Sequence, residues 1–520
     1  MIRIFYIAIL LTFFIYLPGM AQDPELGDLV EEKESFLDQP NRIEFEIEEK
    51  DGDFTIIPAQ EYGLIVVTDT RNKTKEGYTW KFHMLDTALN EVWKKEMPVG
   101  FGYNFRGYDH SLGNTFMVFE TSTYRREDMK LLQIENISGD TAWYDVSSVF
   151  PIDLTFFEVV DRTVIMSGYA NDRPVVLIYN VDEQKPKVLP GYYGNNSEIL
   201  DIVTDDLTRT FTVVRSERLP NKNYTVVTNT FDALGNELLD IKLDPGEDKS
   251  FIDGESTTLA DGQQYIAGTY ARKKSEYSRG LYLAKIVNGR QQLVQYHNYA
   301  DLTNFFSYMR AKRENRIKER IERRKIEDKK IKFNYRLLVH DIIDKGDEYI
   351  LVGEAYYPKY SNTGVANPFL GSRWDYQRQN WYNPGFLGYK YTHAVVVSFD
   401  KAGKVKWDNS FEINDVLSYD LKNYVQVNIE DDQVVLLYIY EGLIRTKIVS
   451  GNDVVEGKSF DPVRLSFEYD LLQDSEKELE GLEHWHGKSF YAYGVQEIRN
   501  MKDKNVKLDR KIFYINKIIY

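Results

Sequence analysis

The sequence predicts an all-β fold, a single β-propeller of seven or eight four-stranded blades, with eight preferred. Two observations predict it: a strand–turn–strand motif that recurs along the chain, and apolar strands that return about every 50 residues. In the motif an Asp or Asn and a Trp or Leu lie seven positions apart, around a turn rich in Asn and Gly. Its copies are Asp86–Trp93, Asn136–Trp143, Asp232–Leu239 and Asp400–Trp407.

The apolar strands mark the repeating unit. Eight of them can be followed along the 520 residues, and each is rich in the β-branched and aromatic residues that favour strands. They are Leu64–Thr68, Phe116–Phe119, Val164–Ser167, Phe211–Arg215, Tyr265–Thr269, Tyr349–Gly353, Val434–Tyr440 and Ser489–Gly494. The last unit reaches the final residue on its third strand. We therefore expect 42–49, which alternates apolar and polar residues, to supply the missing outer strand and close the ring.

The N-terminal residues predict export. Residues 1–21 combine Arg3, a short apolar run and a small-residue cleavage site, which is typical of a signal peptide. Residues 22–41 are acidic and without pattern, so we expect a flexible leader before a propeller domain at 42–520. The chain has no Cys, and an exported protein without disulfides fits a bacterial envelope. The composition resembles that of exported Bacteroidota proteins, which implies the periplasm or the cell surface of a Gram-negative bacterium. After cleavage no apolar run is long enough to span a membrane.

A basic insertion lies at 304–332. It contains no Gly or Pro and predicts a long charged helix. From 310 to 332 there are 12 Lys or Arg against 5 Asp or Glu, a net charge of +7 in a chain of net charge −16. The segment is either a solvated helix crossing between blades or a docking arm for an anionic partner. The candidate docking residues are Arg313, Arg316, Arg320, Arg323 and Arg324.

An aromatic loop insertion at 356–391 is the predicted contact surface. Loops of this length inside compact domains are usually functional or disordered, and this one is too aromatic for disorder. Tyr and Trp offer rigid contact area with a hydrogen-bonding tip, which suits both protein partners and sugars. The alternative is a loop that folds back and buries its rings. The candidate binding residues are Tyr360, Trp374, Tyr376, Trp381, Tyr382 and Tyr389.

The recurring motif resembles the tryptophan-bearing repeat of bacterial quinoprotein-like propellers. In that family an Asp, a turn Gly and a Trp lock adjacent blades together. The resemblance covers Asp86–Trp93, Asp232–Leu239 and Asp400–Trp407, and more loosely Asn136–Trp143, at a spacing one residue shorter. It implies blade architecture. The quinone enzymes of the family carry a vicinal cysteine pair that this chain lacks, so a redox role is not implied and no cofactor is expected.

Acidic residues recur near the ends of the apolar strands and form the candidate catalytic set. Glu120, Glu217 and Glu354 belong to it, together with Asp69 and Glu441. If these carboxylates approach one another at one mouth of the ring, they could act as an acid and a base in glycoside chemistry or bind calcium. The alternative is a set of separate, solvated strand ends.

Other chemistries find little support. His484 and His486 flank Trp485, but no third ligand follows from spacing, so we expect no metal site. An exported acidic protein without a reader motif does not favour nucleic acid. The sequence leaves enzymatic activity open and favours a non-enzymatic binding or scaffold propeller that recognises an envelope protein or a glycan through the aromatic loop. The alternative is a carbohydrate-active hydrolase or lyase.

Overall fold

The computed structural model describes residues 37–48, 52–121, 128–148, 150–194, 197–272, 275, 277–361, 380, 382–476, 479–503 and 506–520. Within them, eight antiparallel sheets follow one another along the chain. Blades 1–8 denote these sheets in chain order, and the eight-bladed propeller that the repeat predicts is confirmed. The expected signal peptide at 1–21, and the expected leader as far as residue 36, lie outside the described residues.

The first strand of each blade lies nearest the axis, where the first strand of blade 3 contacts those of blades 2 and 4. In blades 5 and 6 this strand is split in two. The first strands are Phe54–Pro58, Tyr103–Ser111, Asp153–Val160, Ser197–Asp205, Ser250–Phe251 with Glu255–Ser256, Arg336–Val339 with Ile343–Asp344, Gln426–Glu430 and Gly481–His486.

The second and third strands form the central hairpin of each blade. The second strands are Leu64–Lys73, Asn114–Thr121, Thr163–Ala170, Thr210–Arg218, Gln263–Ala271, Glu348–Tyr360, Gln433–Tyr440 and Ser489–Asn500. The third strands are Tyr78–Leu85, Asp128–Glu135, Arg173–Asn180, Tyr224–Asp232, Gly280–Val287, Phe386–Asp400, Leu443–Ser450 and Asp509–Ile519. The apolar runs of the sequence are therefore the second strands of the blades, not the first.

The outer strands of blades 1–4 and 7 carry mostly exposed side chains, whereas those of blades 5, 6 and 8 are mostly half-buried or buried. The outer strands are Glu91–Val99, Thr141–Ser147, Lys185–Val188, Glu237–Lys242, Arg290–Asn298, Val405–Glu412, Asp453–Pro462 and, for blade 8, Arg42–Glu46. Two short strands pair beside the main sheets: Leu417–Ser418 in blade 6 and Asp470–Ser475 in blade 8. Two 3-10 turns lie at Gln60–Tyr62 and Tyr299–Asp301.

The ring closes as the sequence predicts. Arg42–Glu46 pairs antiparallel with the third strand of blade 8, so the final blade combines both ends of the propeller. The Arg42 guanidinium donates to Asn516 Oδ1 at 2.8 Å and to Gln496 Oε1 at 2.9 Å. Leu37, inside the segment expected to be flexible, is buried among apolar side chains of blades 7 and 8. This burial orders the last residues before the closing strand.

The hydrophobic core is divided among the interfaces between blades. In the part of the chain that the structure describes, eight apolar clusters occur, one between each pair of neighbouring blades. Alternate side chains of a second strand enter different clusters. Ile65 and Val67 face blade 2, whereas Leu64 and Val66 face blade 8. A strand buried on both faces must be apolar throughout, which is why the second strands dominate the sequence pattern.

The recurring motif is the turn between the third and outer strands. The carboxylate of Asp86 accepts the backbone N–H groups of Ala88 and Asn90, both at 2.8 Å. The outer strand then reaches the next blade, where Trp93 Nε1 donates to the carbonyl of Asn136 at 3.0 Å. A Cβ on Gly139 would lie 2.9 Å from the Trp93 ring, so a glycine is needed in this turn. The motif thus joins neighbouring blades.

The basic insertion contains a helix that is shorter than expected. It covers Ala311–Ile326 rather than 304–332. Before it, Phe305 is buried between blades 5 and 6, and the backbone N–H groups of Thr303 and Asn304 donate to the Asp408 carboxylate at 2.7 and 2.6 Å. These contacts anchor 303–305 in bends and turns, a backbone conformation that a continuous helix from residue 304 would disrupt.

The two faces of the propeller differ in their connections. Because the strands of each blade are antiparallel, the turns after the first and third strands lie on one face, which we call the turn face. The loops after the second and outer strands lie on the opposite face, the insertion face. Segment 299–335, which contains the helix, and segment 413–425 both follow outer strands, and the hairpin of blade 6 extends through 13- and 15-residue strands. All three features therefore share the insertion face.

Candidate functional site

The long hairpin of blade 6 presents aromatic side chains on two sides. On the inner side Tyr389 and Tyr391 are fully buried, and Phe386 packs 5.0 Å from Tyr389 between ring centroids. Tyr360 packs against Phe386, and its hydroxyl donates to Asn380 Oδ1 at 2.8 Å. These rings form a rigid base under the hairpin.

The same hairpin and the strand beside it expose apolar side chains to solvent. Tyr382 is 82% exposed and Tyr419 58% exposed. Residue 417 is joined to the hairpin because Leu417 pairs with Lys390, which in turn pairs with Tyr357. We call the exposed set the aromatic edge: Tyr357, Tyr382, Leu387, Leu417 and Tyr419.

The predicted binding residues therefore separate into four groups. Tyr382 is exposed on the aromatic edge, while Tyr360 is half-buried. Tyr389 is fully buried in the core between blades 6 and 7, so its ring is not available to a partner. Trp374, Tyr376 and Trp381 lie outside the described residues. Sequence reasoning did not find Tyr419 or Leu417, because they follow the outer strand of blade 6 and reach the edge only through strand pairing.

The helix at Ala311–Ile326 is amphipathic. Ile321 is buried, and Ile317 packs on the cluster between blades 5 and 6. Along the flank of this apolar face the predicted docking residues are exposed, except that Arg324 is half-buried and donates to the carbonyl of Lys330 at 2.9 Å. The exposed ones are Arg313, Arg316, Arg320 and Arg323. The helix thus carries a cationic stripe on the insertion face.

The predicted catalytic carboxylates are each bonded by groups of their own blade or of the next. Glu120 is buried and accepts from Arg106 Nε at 2.7 Å. Glu217 accepts from Arg215 at 2.9 Å and from Lys242 at 2.6 Å. Burial alone would raise the pKa of Glu217, but these two cations outweigh it and lower that pKa.

Glu354 is fully buried and joins blade 6 to blade 7. Its Oε1 lies 2.7 Å from His340 Nε2 and accepts the backbone N–H groups of Tyr424 and Val425 at 2.8 and 2.9 Å. A carboxylate held by three such donors supports the connection between two blades.

A different set of carboxylates lines the axis. Five acidic residues come from the first strands of blades 2–6 or from the short link between them. Asp109 and Glu158 are hydrogen-bonded to each other, as are Asp201 and Glu255. Asp341 acts electrostatically on both Glu158 and Asp201. We call Asp109, Glu158, Asp201, Glu255 and Asp341 the channel carboxylates.

Crowding and burial change the protonation of this set. Burial, with the charges of Asp109 and Asp201, raises the pKa of Glu158 to about 9. Burial and the charge of Asp341 raise the pKa of Asp201 to about 7. Burial also raises the pKa of Asp109. At neutral pH Glu158 therefore carries a proton that its neighbours can share.

On the other side of the axis the lining contains phenols and amides. A cavity of about 440 Å³ is lined by residues of blades 1, 2, 7 and 8, among them Tyr108, Gln426 and Glu483. Glu483 accepts the hydroxyl groups of Tyr493, at 3.0 Å, and of Tyr491. The channel is thus polar on both sides.

The described residues contain neither a candidate metal centre nor a candidate membrane-spanning helix. No group of three or more His, Cys, Asp or Glu side chains there has the spacing to hold a metal ion. His484 Nε2 lies 3.0 Å from the carbonyl of Gly487, and burial lowers the pKa of His486. Of the helices in the described ranges, none is both long and apolar enough to cross a membrane.

The fold places the chain in the class of eight-bladed β-propellers. No protein-family model matches the sequence, and a comparison with curated proteins finds none with significant sequence similarity. Among solved structures, the propeller domain of the trilobed protease from Pyrococcus furiosus is 9% identical with a TM-score of 0.36, covering 78% of this chain and 99% of that one.

Two further solved structures show the same level of likeness. The polysaccharide lyase Uly1 is 11% identical with a TM-score of 0.37, over 79% of this chain and 89% of that chain. The acylaminoacyl peptidase from Pyrococcus horikoshii is 9% identical with a TM-score of 0.34; the match covers 79% of this chain but only 52% of the peptidase. The assignment to the propeller class rests on the eight sheets themselves.

Proposed function

We propose that this protein is an exported binding platform of a Gram-negative cell envelope, in the periplasm or on the cell surface, without catalytic activity of its own. Its partner is another envelope protein, which docks on the aromatic edge of blade 6. The observation that carries the proposal is the exposure of the aromatic edge. Tyr357, Tyr382 and Tyr419 are exposed beside Leu387 and Leu417, which lie on paired strands. Exposed apolar sets of this kind mark interaction sites.

The composition of the edge favours a protein over a sugar. Tyr rings serve both ligands, but the branched side chains of Leu387 and Leu417 offer no flat face for a sugar ring and suit a protein hot spot. The base under the edge is rigid, because Phe386 and Tyr389 are buried beneath it. A rigid surface loses little conformational entropy on binding.

The test compares partner capture by the tagged mature wild-type protein, by a variant of the aromatic edge and by a control variant. Wild type and the triple variant Tyr357→Ser, Tyr382→Ser, Tyr419→Ser are captured from gently crosslinked envelopes. The matched control is Tyr193→Ser, since Tyr193 is 49% exposed on another part of the ring. A stoichiometric protein lost only from the triple variant supports the proposal. Equal capture by all three proteins, or binding of an isolated glycan instead, would overturn it.

The second candidate function is a carbohydrate-active hydrolase or lyase. One observation favours it: Asp109 and Glu158 pair at the axis, and Glu158 holds its proton near neutral pH. A protonated acid beside an ionisable carboxyl is the arrangement that acid–base catalysis uses. Turnover of a bacterial polysaccharide that Glu158→Gln abolishes, while Glu120→Gln leaves it intact, would establish this function in place of the first.

A further inference from the structure

A second cavity lies on the insertion face, between blade 5 and the segment that follows the helix. It has a volume of about 270 Å³. Blade 5 contributes Tyr270 at the end of its second strand, Arg279 just before its third strand and Asn298 at the end of its outer strand. The segment after the helix contributes Lys330–Lys332 as the opposite wall.

The lining of this cavity is strongly cationic. Among the described residues that line it, the charged side chains are Lys249, Arg272, Arg279, Lys330 and Lys332, against Asp248 as the one acidic residue. Asp248 is only loosely paired, at 3.8 Å from Lys249 and 4.0 Å from Arg272. Five cations against one anion leave a net charge of +4 around a space that no side chain fills.

Arg279 is the residue that distinguishes this cavity from an ordinary basic surface. Its Nη1 is buried and has no hydrogen-bond acceptor among the described residues. The backbone of Arg279 is fixed, because its N–H donates to the carbonyl of Tyr270 at 2.7 Å and its own carbonyl accepts from Tyr299 at 3.3 Å. A guanidinium donor held out of water without an acceptor is costly unless a ligand supplies one.

Arg445 shows the usual arrangement for a buried arginine in the same protein. Its Nε is also buried without an acceptor, but its Nη1 donates to the carbonyl of Asn414 and to the hydroxyl of Tyr438, both at 3.2 Å. No such bond is formed by the Arg279 side chain within the described ranges. Within the described residues, Arg279 thus keeps a buried guanidinium nitrogen without an acceptor, and it lines an open space.

We propose that this cavity is a binding site for a tetrahedral oxyanion, a phosphate or sulfate group. The fork of Arg279 supplies directed donors, Lys249 adds charge from the blade 5 side, and Lys330 and Lys332 supply charge from the opposite wall. Oxyanions of this kind accept several charge-assisted hydrogen bonds at once, which is what such a set of donors offers. The inference does not depend on the aromatic edge.

The test is a calorimetric titration of the mature full chain with sodium phosphate and with sodium sulfate, at constant ionic strength set with chloride. We expect saturable binding of phosphate or sulfate that chloride does not reproduce. Arg279→Gln should weaken it at least about tenfold, and Arg279→Lys less. Lys332→Gln, an exposed substitution on the rim, should also weaken it, which keeps the test informative if Arg279→Gln fails to fold.

The matched control is Arg290→Gln, which removes the same charge from an exposed position on the turn face, at the start of the outer strand of blade 5, and should leave the affinity unchanged. Parallel titrations use glucose 6-phosphate and glucose 6-sulfate. Tighter binding of these esters than of the free ions indicates a group carried on a larger molecule, and tighter binding of the free ions indicates a site for the ion itself. Equal affinities for wild type, Arg279→Gln and Lys332→Gln would overturn the proposal, as would an equal response to chloride. The aromatic-edge variant should bind the anions normally, so the two proposals can fail separately.

Discussion

Blades 1–4 and blades 5–8 share one architecture and differ in what they add to it. From blade 1 to blade 4 the connections between blades are short, whereas between blades 5 and 6 the chain inserts a helix and blade 6 extends its hairpin. The aromatic edge and the cationic cavity both belong to the second half. The difference teaches that the repeat builds the scaffold, while insertions on one face build the sites.

The strongest way to break the scaffold is to open the ring. Phe45 lies on the closing strand, with ring centroids 6.1 Å from Phe54 and 5.2 Å from His83. Phe45→Asp puts a charge into this half-buried site and frees the edge of blade 8, so we expect a loss of about 4 kcal/mol or more in the free energy of unfolding. Denaturant unfolding measures it.

Val188→Asp is the matched control for the closing strand, since Val188 is exposed on the outer strand of blade 3. It should change the free energy of unfolding by no more than about 0.5 kcal/mol. Equal effects of the two substitutions would mean that the closing strand is no more important than any other outer strand.

The axis should respond to pH. In the unfolded chain Glu158 ionises near its ordinary pKa of 4.5, but in the folded protein it keeps its proton up to about 9. The folded state therefore binds more protons between these values, and its stability falls as the pH rises through them. Glu158→Gln removes this loss, so at pH 8 we expect a gain on the order of 3 kcal/mol over wild type. At pH 5 the gain should be much smaller.

Denaturant unfolding at pH 5 and pH 8 checks this prediction. Glu135→Gln provides a control of opposite sign, because hydrogen bonds from Ser138 lower the pKa of Glu135. That variant should lose stability at pH 8 rather than gain it. A pH-independent difference between Glu158→Gln and wild type would show that the channel carboxylates are not coupled as described.

The contacts between blades give a smaller effect. Trp93→Ala removes the packing of the indole on Gly139 and its hydrogen bond to Asn136. We expect a loss of about 2 kcal/mol in the free energy of unfolding. Val92→Ala, at the exposed neighbouring position, should cost no more than about 0.5 kcal/mol. Equal costs would argue against the role of the motif in joining blades.

The smallest effect on stability is expected on the insertion face. Arg316→Glu with Arg320→Glu reverses two exposed charges of the helix, and each should change the free energy of unfolding by less than about 0.5 kcal/mol. If the helix docks an anionic partner, the double variant should bind phosphocellulose less tightly than wild type. Lys94→Glu with Lys185→Glu makes the same charge change on outer strands. Equal retention of the two variants would contradict a docking role.

The residues that sequence reasoning found and those it missed differ in where their side chains point. The second strands were found because both of their faces are buried. The first strands were missed because one face lines a polar channel, as in Tyr103–Ser111, where apolar and polar residues mix. Glu120, Glu217 and Glu354 were predicted as a catalytic set from their positions near the ends of the second strands. In the structure each of them is hydrogen-bonded to groups of its own blade or of the next.

The sequence by itself determined the repeat and the closing strand and limited the ring to seven or eight blades, because these follow from local patterns of apolar residues and turns. Only the tertiary structure decided that the blade number is eight, which carboxylates share protons at the axis, and that a guanidinium nitrogen of Arg279 is buried without an acceptor among the described residues. Asp109, Glu158 and Asp201 lie more than 40 positions apart along the chain, and only closure of the ring brings them together. Such proximity depends on side-chain direction across several blades, which no local pattern records.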